Sequence, residues 1–429
     1  MKKKRVVIVD GVRTPYIKAW TLFDNLSASE LGCIAVRELL ERLDLDPAVV
    51  NEVIIGNVGQ PADSANIARV ISLKAGIPRE APAYTVQRNC ASGMQAVINA
   101  YRQIILGESG VIIAGGVESM SNIPFFYSKS LQGIIQAFQR AKSLPARIKV
   151  LSSLRPAHFR PVIGLLLGLT DPVCGLNMGQ TAEVLAREFG ISREDQDAFS
   201  LVSHQRAENA IEEGRLGDEI VPVYVPPKFK GAVAQDNGVR RGQSLEALGK
   251  LKPVFDKRHG TVTAGNSSQI TDGAAAVLVM SEEKAAELGY EPMGFIRSYG
   301  FAGCDPGRMG LGPVFATDLA LRKAQLAFED LDLFEINEAF AAQVLACERA
   351  ISSEDFAKKH LDRKSPLGEI DRKKLNVNGG AIALGHPVGS SGTRLILTLL
   401  KEMKRRKLHL GLATLCIGGG QGGAVIVER

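Results

Sequence analysis

The sequence predicts an α/β fold of two repeated halves, with a segment of different composition inserted between them. Three observations support this prediction. Short β-rich runs alternate with helical patterns over the first 120 residues, the same alternation returns near Pro292, and residues 121 to about 250 differ in composition from both halves. Such alternation is typical of a largely parallel sheet covered by helices.

The first half contains four predicted strands and three predicted helices. The apolar run after the N-terminal MKKK is short and is interrupted by Asp10, so we interpret it as a strand and not as a secretion signal. The other elements follow from β-rich runs and from apolar residues at helical spacing. The strands are RVVIVDGV, NEVIIGNV, PAYTVQRN and SGVIIAGG, and the helices are Ser27 to Leu43, Asn66 to Ala75 and Cys90 to Leu106.

The inserted segment, residues 121–250, has a basic apolar part followed by a helical part. Ser192 and Asp195 have the spacing of a capping box, which predicts that a long helix begins there. The proline-rich run PVYVPPKFKG then predicts extended chain. We expect the insertion to cover one face of the sheets.

The second half repeats the order of the first with little identity of residues, which indicates an internal duplication. The polar run Ser352 to Lys374 interrupts it and predicts surface decoration. We therefore expect an N-terminal half at 1–120 plus about 251–290, a loop domain at 121–250 and a C-terminal half at 291–429. The predicted elements are a strand from Pro292 to Tyr299, a helix from Pro313 to Phe328, LDLFEIN, a helix from Glu338, LNVNGG, a helix from Gly389 to Lys404, and the strands LHLGLATLCI and GAVIVER.

Composition narrows the class of protein. Of the 429 residues, 45% are hydrophobic and 23% are charged, as in globular proteins, and no run of about 18 apolar residues suggests a membrane span. The six cysteines are far apart and form no CxxC pair, so we expect reduced thiols and a cytoplasmic protein without a metal site.

The net charge of +6 is concentrated in one segment. Between Ser121 and Thr170 there is no acidic residue, and without this segment the chain is close to neutral. A single basic patch argues against a protein that binds nucleic acid over its whole surface and indicates one local function. Its basic residues are Lys129, Arg140, Lys142, Arg147, Lys149, Arg155 and Arg160.

Cys90, in NCASGMQA, lies where a strand pattern gives way to a helix pattern. We expect its sulfur near a helix N-terminus, where the helix dipole and free N–H groups stabilise a thiolate. The small residues that follow leave room for a substrate. The alternative is a buried cysteine that acts as a small hydrophobe.

Three further polar signals fall at strand ends or glycine-rich turns. His386 lies between glycines and a proline in NGGAIALGHPVGSSG, so we expect it on a rigid loop. Cys416 begins CIGGGQGG, whose backbone N–H groups can converge on an oxyanion, although a β-bulge would also use such glycines. Asn337 begins NEAFAAQ, where its amide can hold a water or cap a helix. In a sheet fold these groups could meet at one edge.

In combination these signals resemble the thiolase family, nearly end to end. The resemblance implies a fold of two βαβαβ halves stacked in five layers, αβαβα, with an inserted loop domain. It also implies an acyltransferase that takes coenzyme A as a substrate and holds no permanent cofactor. The matching blocks are NCASGMQA, GGVESMS, MGQTAE, FDKRHGTVTAGNSSQITDGAAA, NEAFAAQ, GGAIALGHPVGSSG and CIGGGQGG.

The resemblance also implies a role for each candidate residue. Cys90 is the nucleophile that carries the acyl group, His386 is its base and an oxyanion donor, and Cys416 is the second acid and base. Asn337 holds a water at the oxyanion, and Gly418 contributes a backbone N–H. Arg240, Met178, Ser268 and Phe340 match residues along the path of CoA, although each also has an ordinary structural interpretation.

Two features bear on the type of thiolase. Asn177 stands where short acetoacetyl-CoA enzymes usually carry a histidine, and the long basic apolar segment resembles that of trifunctional fatty-acid-oxidation β-subunits. Those β-subunits commonly read HEAF where this chain reads NEAF, which is a departure. We expect a degradative 3-ketoacyl-CoA thiolase; acetoacetyl-CoA synthesis and a non-catalytic scaffold are the alternatives.

Four interpretations of residues 121–170 stay open on sequence. The segment could cover the acyl tail, dock a hydratase/dehydrogenase α-subunit, lie on anionic lipid at the membrane surface, or be an ordinary lid helix. The resemblance implies a homodimer or a pair of dimers, with acyl-CoA and CoA as small-molecule partners and no nucleic acid.

Overall fold

The computed structural model describes residues 4–227 and 229–429. Residues 1–3 of the MKKK run and Lys228 of PVYVPPKFKG lie outside the described residues. The strands are β1 (Val6–Arg13), β2 (Ile17–Lys18), β3 (Glu52–Gly56), β4 (Ala83–Val86), β5 (Val111–Ser119), β6 (Phe125–Phe126), β7 (Val162–Ile163), β8 (Val223–Tyr224), β9 (Ala232–Val233), β10 (Thr271–Ser281), β11 (Gly294–Gly303), β12 (Leu333–Ile336), β13 (Leu410–Ile417) and β14 (Gln421–Glu428). The helices are α1 (Ala28–Arg42), α2 (Ile67–Lys74), α3 (Ser92–Leu106), α4 (Lys129–Arg140), α5 (Leu144–Leu151), α6 (Gly164–Gly168), α7 (Met178–Glu188), α8 (Arg193–Glu212), α9 (Leu245–Gly249), α10 (Glu282–Glu287), α11 (Gly312–Ala324), α12 (Ala341–Ile351), α13 (Glu354–His360), α14 (Ala381–Leu384) and α15 (Val388–Arg406).

The two halves have the same strand order. The N-terminal half runs β4-β3-β5-β10-β1 and the C-terminal half runs β12-β13-β14-β11. Matched strand for strand, β3, β5, β10 and β1 hold the places of β12, β13, β14 and β11. The halves join where β1 and β11 pair at Val7 with Phe295 and at Ile8 with Gly294. This shared order confirms the predicted duplication.

Three hydrophobic cores, separated by the two half-sheets, define five layers. Along β1, Val7 enters an outer core with α1 and α2, whereas Ile8 enters a middle core with α3 and α15. The middle core also receives strand residues of the second half, such as Val425. A third core holds α11 and α12 against the other side of the second half-sheet. The order helix, sheet, helix, sheet, helix confirms the predicted layers. The expectation of a largely parallel sheet is wrong, since among the described strands of this sheet only β3–β4, β3–β5 and β12–β13 pair in parallel.

Local chemistry fixes several of the predicted boundaries. The capping box at Ser192 and Asp195 is present and begins α8 as predicted. The helix predicted to reach Phe328 ends at Ala324, because Gln325 takes a left-handed backbone with φ of 56° that cannot continue a helix. The polar run Ser352 to Lys374 is not wholly irregular, since it contains α13.

Buried ion pairs fasten the insertion to the first half. The fully buried Arg13 of β1 donates from Nε to Glu219 at 2.6 Å and from Nη1 to Asp236 at 2.7 Å. Such a buried cluster holds its partners in place because breaking it would leave charges without compensation. The division of the chain at residues 120, 250 and 290 stays a prediction.

The basic apolar segment, residues 121–170, lies on the surface, and among the described residues no such buried ion pair anchors it. On α4 only Leu131 is buried, and α5 has no buried residue. Within residues 4–227 and 229–429, no helix is long and apolar enough to span a membrane.

Candidate active site

Cys90 lies between β4 and α3 on a turn held by hydrogen bonds. The Ser92 hydroxyl accepts from the Arg88 N–H at 2.8 Å and donates to the Asn89 carbonyl at 2.7 Å. Asn89 itself is left-handed, with φ of 43°, and its amide donates to the Gly418 carbonyl at 2.8 Å. The thiol is therefore presented from a rigid turn that is tied to the β13–β14 turn.

The electrostatics of Cys90 differ from the sequence expectation of a stabilised thiolate. Burial raises the pKa of the Cys90 thiol, although the backbone N–H groups of Gly418 and of Cys90 itself act in the opposite direction. Desolvation of the charged form outweighs these hydrogen bonds. The resting side chain is a neutral thiol, so it needs a base before it can attack.

Cys416 ends β13 and is buried next to Cys90. Its exposed fraction is 1%, and the glycines that follow make the tight turn into β14, where Gly419 has φ of 88° and Gly420 has φ of 76°. Burial raises the pKa of the Cys416 thiol well above its usual value, and the Cys90 sulfur raises it further. The Cys416 side chain therefore rests as a neutral thiol.

His386 is held between α14 and α15 with a defined tautomer. Its Nδ1 lies 2.6 Å from the Ser391 hydroxyl, which in turn donates to the Pro387 carbonyl at 3.0 Å. Because that hydroxyl has a single proton, we assign the ring proton to Nδ1, which leaves Nε2 unprotonated and able to accept a proton. Burial, followed by the charge of Arg394, lowers the pKa of His386 to about 3, so the imidazole is neutral near pH 7.

The first turns of α3 and α15 touch, which brings the His386 loop to the cysteine turn. A Cβ added at Gly93 would lie 2.8 Å from the Gly389 carbonyl oxygen. Glycine at position 93 is therefore required for the close approach of the two helices, each of which starts within a few residues of a candidate side chain.

Asn337 completes the cluster from β12. Its backbone N–H bonds to the Thr414 carbonyl of β13 at 2.9 Å, and its side-chain Nδ2 lies 3.4 Å from His386 Nε2. The cap of α12 is Phe340, so the alternative of Asn337 as a helix N-cap is wrong. Among the described residues its buried Oδ1 has no hydrogen-bond partner, which suits an ordered water.

A cavity of about 450 Å³ opens above Cys90 and Gly418. One part of its wall is the loop at Val58 and Gly59, and most of the rest comes from the insertion. The apolar lining can bury a hydrocarbon chain that ends at the Cys90 sulfur. Among the apolar side chains are Ile123, Phe126, Leu165, Leu167, Leu169 and Val388.

Of the four residues predicted along the CoA path, only Met178 lines this cavity, and it also lies close to Gly418. Ser268 and Phe340 lie on adjacent segments of the chain, and the Ser268 N–H donates to the Ala339 carbonyl. Arg240 is exposed, and its backbone N–H donates to His204 at 3.2 Å. Roles for Arg240, Ser268 and Phe340 in binding CoA stay predictions.

Sequence reasoning missed Ser391 and Glu118. Ser391 lies five residues after His386, and nothing in its spacing pointed to the ring. Glu118 could have been noticed, because it is the one charged residue of the strand VIIAGGVES, whose nine residues are all buried. A buried acid is rare unless its charge is paired or used. In the described part of the chain, no three or more His, Cys, Asp or Glu side chains form a group that could hold a metal.

Comparison with known proteins establishes the class and then the family. The chain is an acyltransferase. Two family models match it, "Thiolase, N-terminal domain" over residues 6–283 and "Thiolase, C-terminal domain" over residues 290–429. The chain belongs to the thiolase family, as the sequence predicts.

Individual relatives cover the whole chain. It is similar to a 3-ketoacyl-CoA thiolase of Yersinia enterocolitica, with 44% identity over 99% of this chain and 97% of the relative. Among solved structures it resembles an acetyl-CoA acetyltransferase of Bacillus anthracis, with a TM-score of 0.87 and 39% identity over 99% of both chains. It also resembles human mitochondrial 3-ketoacyl-CoA thiolase in complex with CoA, with a TM-score of 0.85 and 39% identity over 99% and 98% of the two chains.

Proposed function

We propose that this protein is a degradative 3-ketoacyl-CoA thiolase, which uses CoA to cleave a 3-ketoacyl-CoA into acetyl-CoA and a shorter acyl-CoA. One observation carries the proposal: the neutral Cys90 thiol lines an apolar cavity, and the loop of the neutral His386 imidazole packs against the start of the helix that follows Cys90. The similarity to the Yersinia enterocolitica enzyme supports the same assignment. CoA acts here as a substrate that leaves after each turnover.

The first half of the reaction breaks the carbon–carbon bond. The Cys90 thiol gives its proton to His386 Nε2 as its sulfur bonds to the keto carbon. The bond between C2 and C3 then breaks, and its electron pair forms the enolate of acetyl-CoA. The enolate oxygen is stabilised by protonated His386 and by a water on Asn337, and the Cys416 thiol donates the proton that C2 needs.

The second half returns the enzyme to its starting state. The Cys416 thiolate takes the proton from the thiol of CoA, and the CoA sulfur attacks the acyl carbon on Cys90. During this step the N–H groups of Cys90 and Gly418 face the acyl oxygen. Cys90 leaves as a thiolate and recovers its proton from His386. In this second half a thioester exchanges for a thioester, so transfer of the acyl group to CoA is not steeply uphill.

Synthesis or cleavage of acetoacetyl-CoA is the second candidate, and the similarity to the Bacillus anthracis acetyltransferase favours it. The apolar cavity favours longer chains instead, because a four-carbon substrate would leave most of it unfilled. The two candidates differ in how turnover depends on chain length. A non-catalytic scaffold would show no turnover with any substrate.

We expect kcat/KM to increase with chain length in a series of 3-ketoacyl-CoAs from four to sixteen carbons. Each methylene buried in the cavity contributes about 0.8 kcal/mol, or about fourfold, until the cavity is full. The Leu165→Trp variant would fill the cavity, so we expect at least a tenfold lower kcat/KM for sixteen carbons, by the loss of about two such methylenes, with little change for four.

Leu166→Trp is the matched control, because Leu166 is the next residue on α6, is 58% exposed and does not line the cavity. The Leu166→Trp variant should keep the wild-type dependence of kcat/KM on chain length. A wild-type enzyme that turns over only the four-carbon substrate would contradict the degradative assignment and support the acetoacetyl-CoA candidate.

We further propose that residues 121–170 cover the acyl cavity and place their outer side on anionic lipid. The segment supplies Phe126 and Leu165 to the cavity wall, while Tyr127, Leu144 and Phe159 are between 59% and 72% exposed. All seven basic side chains of the segment are exposed, and no acidic residue accompanies them. Exposed apolar residues beside basic ones match the interface of an anionic bilayer.

Charge reversal tests the lipid contact. Combining Lys142→Glu, Arg147→Glu and Lys149→Glu should decrease binding to vesicles of anionic phospholipid by about 100-fold, since each basic residue near such a surface contributes about 1 kcal/mol. Flotation with the vesicles measures it. A triple reversal at Lys364, Lys373 and Lys404 of the second half is the control. Unchanged flotation, or loss of an α-subunit's binding alone, would contradict lipid contact.

The protein is further proposed to be cytoplasmic and to assemble as a homodimer or a pair of dimers. Strand β4 ends the sheet order, and Ala83–Val86 are half-buried, which supports an open edge that a second copy could pair with. Mass measurement in solution tests this assembly directly.

A further inference from the structure

Glu118 of β5 is a fully buried carboxylate at the edge of the cavity, and the proposed reaction does not use it. Its Oε1 accepts from the Gly59 N–H at 2.8 Å and the Asn57 amide at 3.1 Å. Its Oε2 accepts from the N–H groups of Val58 and Gly389, both at 3.1 Å. All four donors are N–H groups, and none is a cationic side chain.

These bonds join two parts of the site that are far apart in sequence. Val58 and Gly59 form one wall of the cavity, whereas Gly389 lies in the first turn of α15, three residues after His386. A Cβ added at Gly59 or at Gly389 would lie 2.9 Å from a Glu118 oxygen. The carboxylate is therefore packed tightly against both loops, and it complements the N-terminal end of the α15 dipole.

We propose that Glu118 is a positioning residue, whose ionised carboxylate holds the cavity wall at 57–59 and the His386 loop in the arrangement that turnover requires. The proposal rests on the proposed thiolase function. Only the ionised form accepts four hydrogen bonds without conflict, because a protonated carboxyl would direct an O–H at one of the N–H donors.

The pH at which this group titrates separates it from the other side chains of the site. Burial, with a smaller contribution from Asp272 of β10, raises the pKa of Glu118 to about 7, although the backbone N–H groups that donate to this carboxylate act in the opposite direction. The other titratable groups of the site are Cys90 and Cys416, whose thiol pKa values are raised, and His386, which is neutral above a pKa of about 3. Because the folded-state pKa of Glu118 is raised above its unfolded value, its own protonation below pH 7 adds to the stability of the fold and does not cause unfolding.

The test is the pH dependence of kcat and KM from pH 5.5 to 9 in wild type, Glu118→Gln and Glu118→Asp. Glutamine keeps the shape but directs an NH₂ group at two donors. Displacement of the His386 loop by about 1 Å can decrease kcat by about 100-fold. We expect that loss in Glu118→Gln, with the acidic limb near pH 7 absent, and a smaller loss with the limb retained in Glu118→Asp.

Glu183→Gln is the matched control. Glu183 is also a buried carboxylate, and it accepts from the Thr261 and Val262 N–H groups at 3.0 and 2.9 Å, away from the cavity lining. It should keep the wild-type pH profile even if it lowers the melting temperature.

Wild-type kcat, KM and pH profile in Glu118→Gln would overturn the positioning role. If that variant does not fold, the wild-type profile decides: a limb near pH 7 supports the role and a flat profile overturns it. Wild-type turnover of 3-ketoacyl-CoA is measured separately, so failure of the proposed function is seen as absent turnover and is not confused with failure of the Glu118 role.

Discussion

Cys90→Ala is expected to decrease thiolysis of 3-ketoacyl-CoA by at least about 10⁴-fold. Without the sulfur there is no acyl carrier, and the cavity contains no other nucleophile in the same place. The side chain is half-buried at the cavity floor and is held by a rigid turn, so its removal should leave the fold intact. The coupled assay for acetyl-CoA, together with circular dichroism of the variant, measures both effects.

Cys33→Ala is the control for Cys90→Ala. Cys33 packs in the outer core with α1, distant from the cavity lining, and its loss should affect stability and not turnover. Turnover by Cys90→Ala within tenfold of wild type would exclude the proposed acyl carrier.

Cys416→Ala is expected to decrease kcat by about 10²- to 10⁴-fold, the usual range for loss of a positioned acid or base. Both half-reactions need this group: its thiol donates a proton to the enolate in the first, and its thiolate takes the proton of the CoA thiol in the second. The Cys90 sulfur is still present, so iodoacetamide should continue to label it. Alkylation of Cys90 does not require the Cys416 sulfur. Labelling that is retained while turnover is lost therefore separates proton transfer from nucleophilic attack.

Cys347→Ala provides a matched comparison for Cys416→Ala. Cys347 is equally buried, and its thiol donates to the Gly310 carbonyl at 3.1 Å. We expect reduced stability and preserved turnover. A Cys416→Ala enzyme with wild-type kcat would contradict the role of the second thiol.

Much of the fold could be predicted because local pattern and tertiary structure agree. LDLFEIN forms β12 and the helix predicted at Gly389 to Lys404 is α15, since each has the apolar period that its place in the core demands. LNVNGG stands between two predicted helices, where the alternating order would place a strand, and it contributes only a bridge between Phe334 and Leu375.

The physical reason for that difference is Asn376. Its backbone is left-handed, with φ of 43°, which interrupts an extended run. Its side-chain amide accepts from the Ile336 N–H and donates to the Ile336 carbonyl, both at 2.9 Å, and so replaces the strand contacts. The hydrophobic periodicity of a sequence does not reveal that a side-chain amide will take the place of backbone strand hydrogen bonds.

Sequence signals selected four candidate side chains, whose roles stay predictions, and they gave the wrong electrostatics for one of them. Cys90, His386, Asn337 and Cys416 were found because each follows a strand or lies in a glycine-rich turn. The helix-dipole argument predicted a stabilised thiolate at Cys90, whereas burial raises the pKa of that thiol. Burial depends on the insertion that closes over the sulfur, and sequence alone does not give the depth of that cover.

Identification of the acyl-enzyme tests the central claim most directly. Wild-type protein is mixed with 3-ketohexadecanoyl-CoA in the absence of free CoA, quenched with acid, digested and examined by mass spectrometry. We predict a fourteen-carbon acyl group, two carbons shorter than the sixteen-carbon substrate, on the peptide that contains Cys90. An acyl group on another residue, or no covalent acyl group while acetyl-CoA is released, would contradict the account.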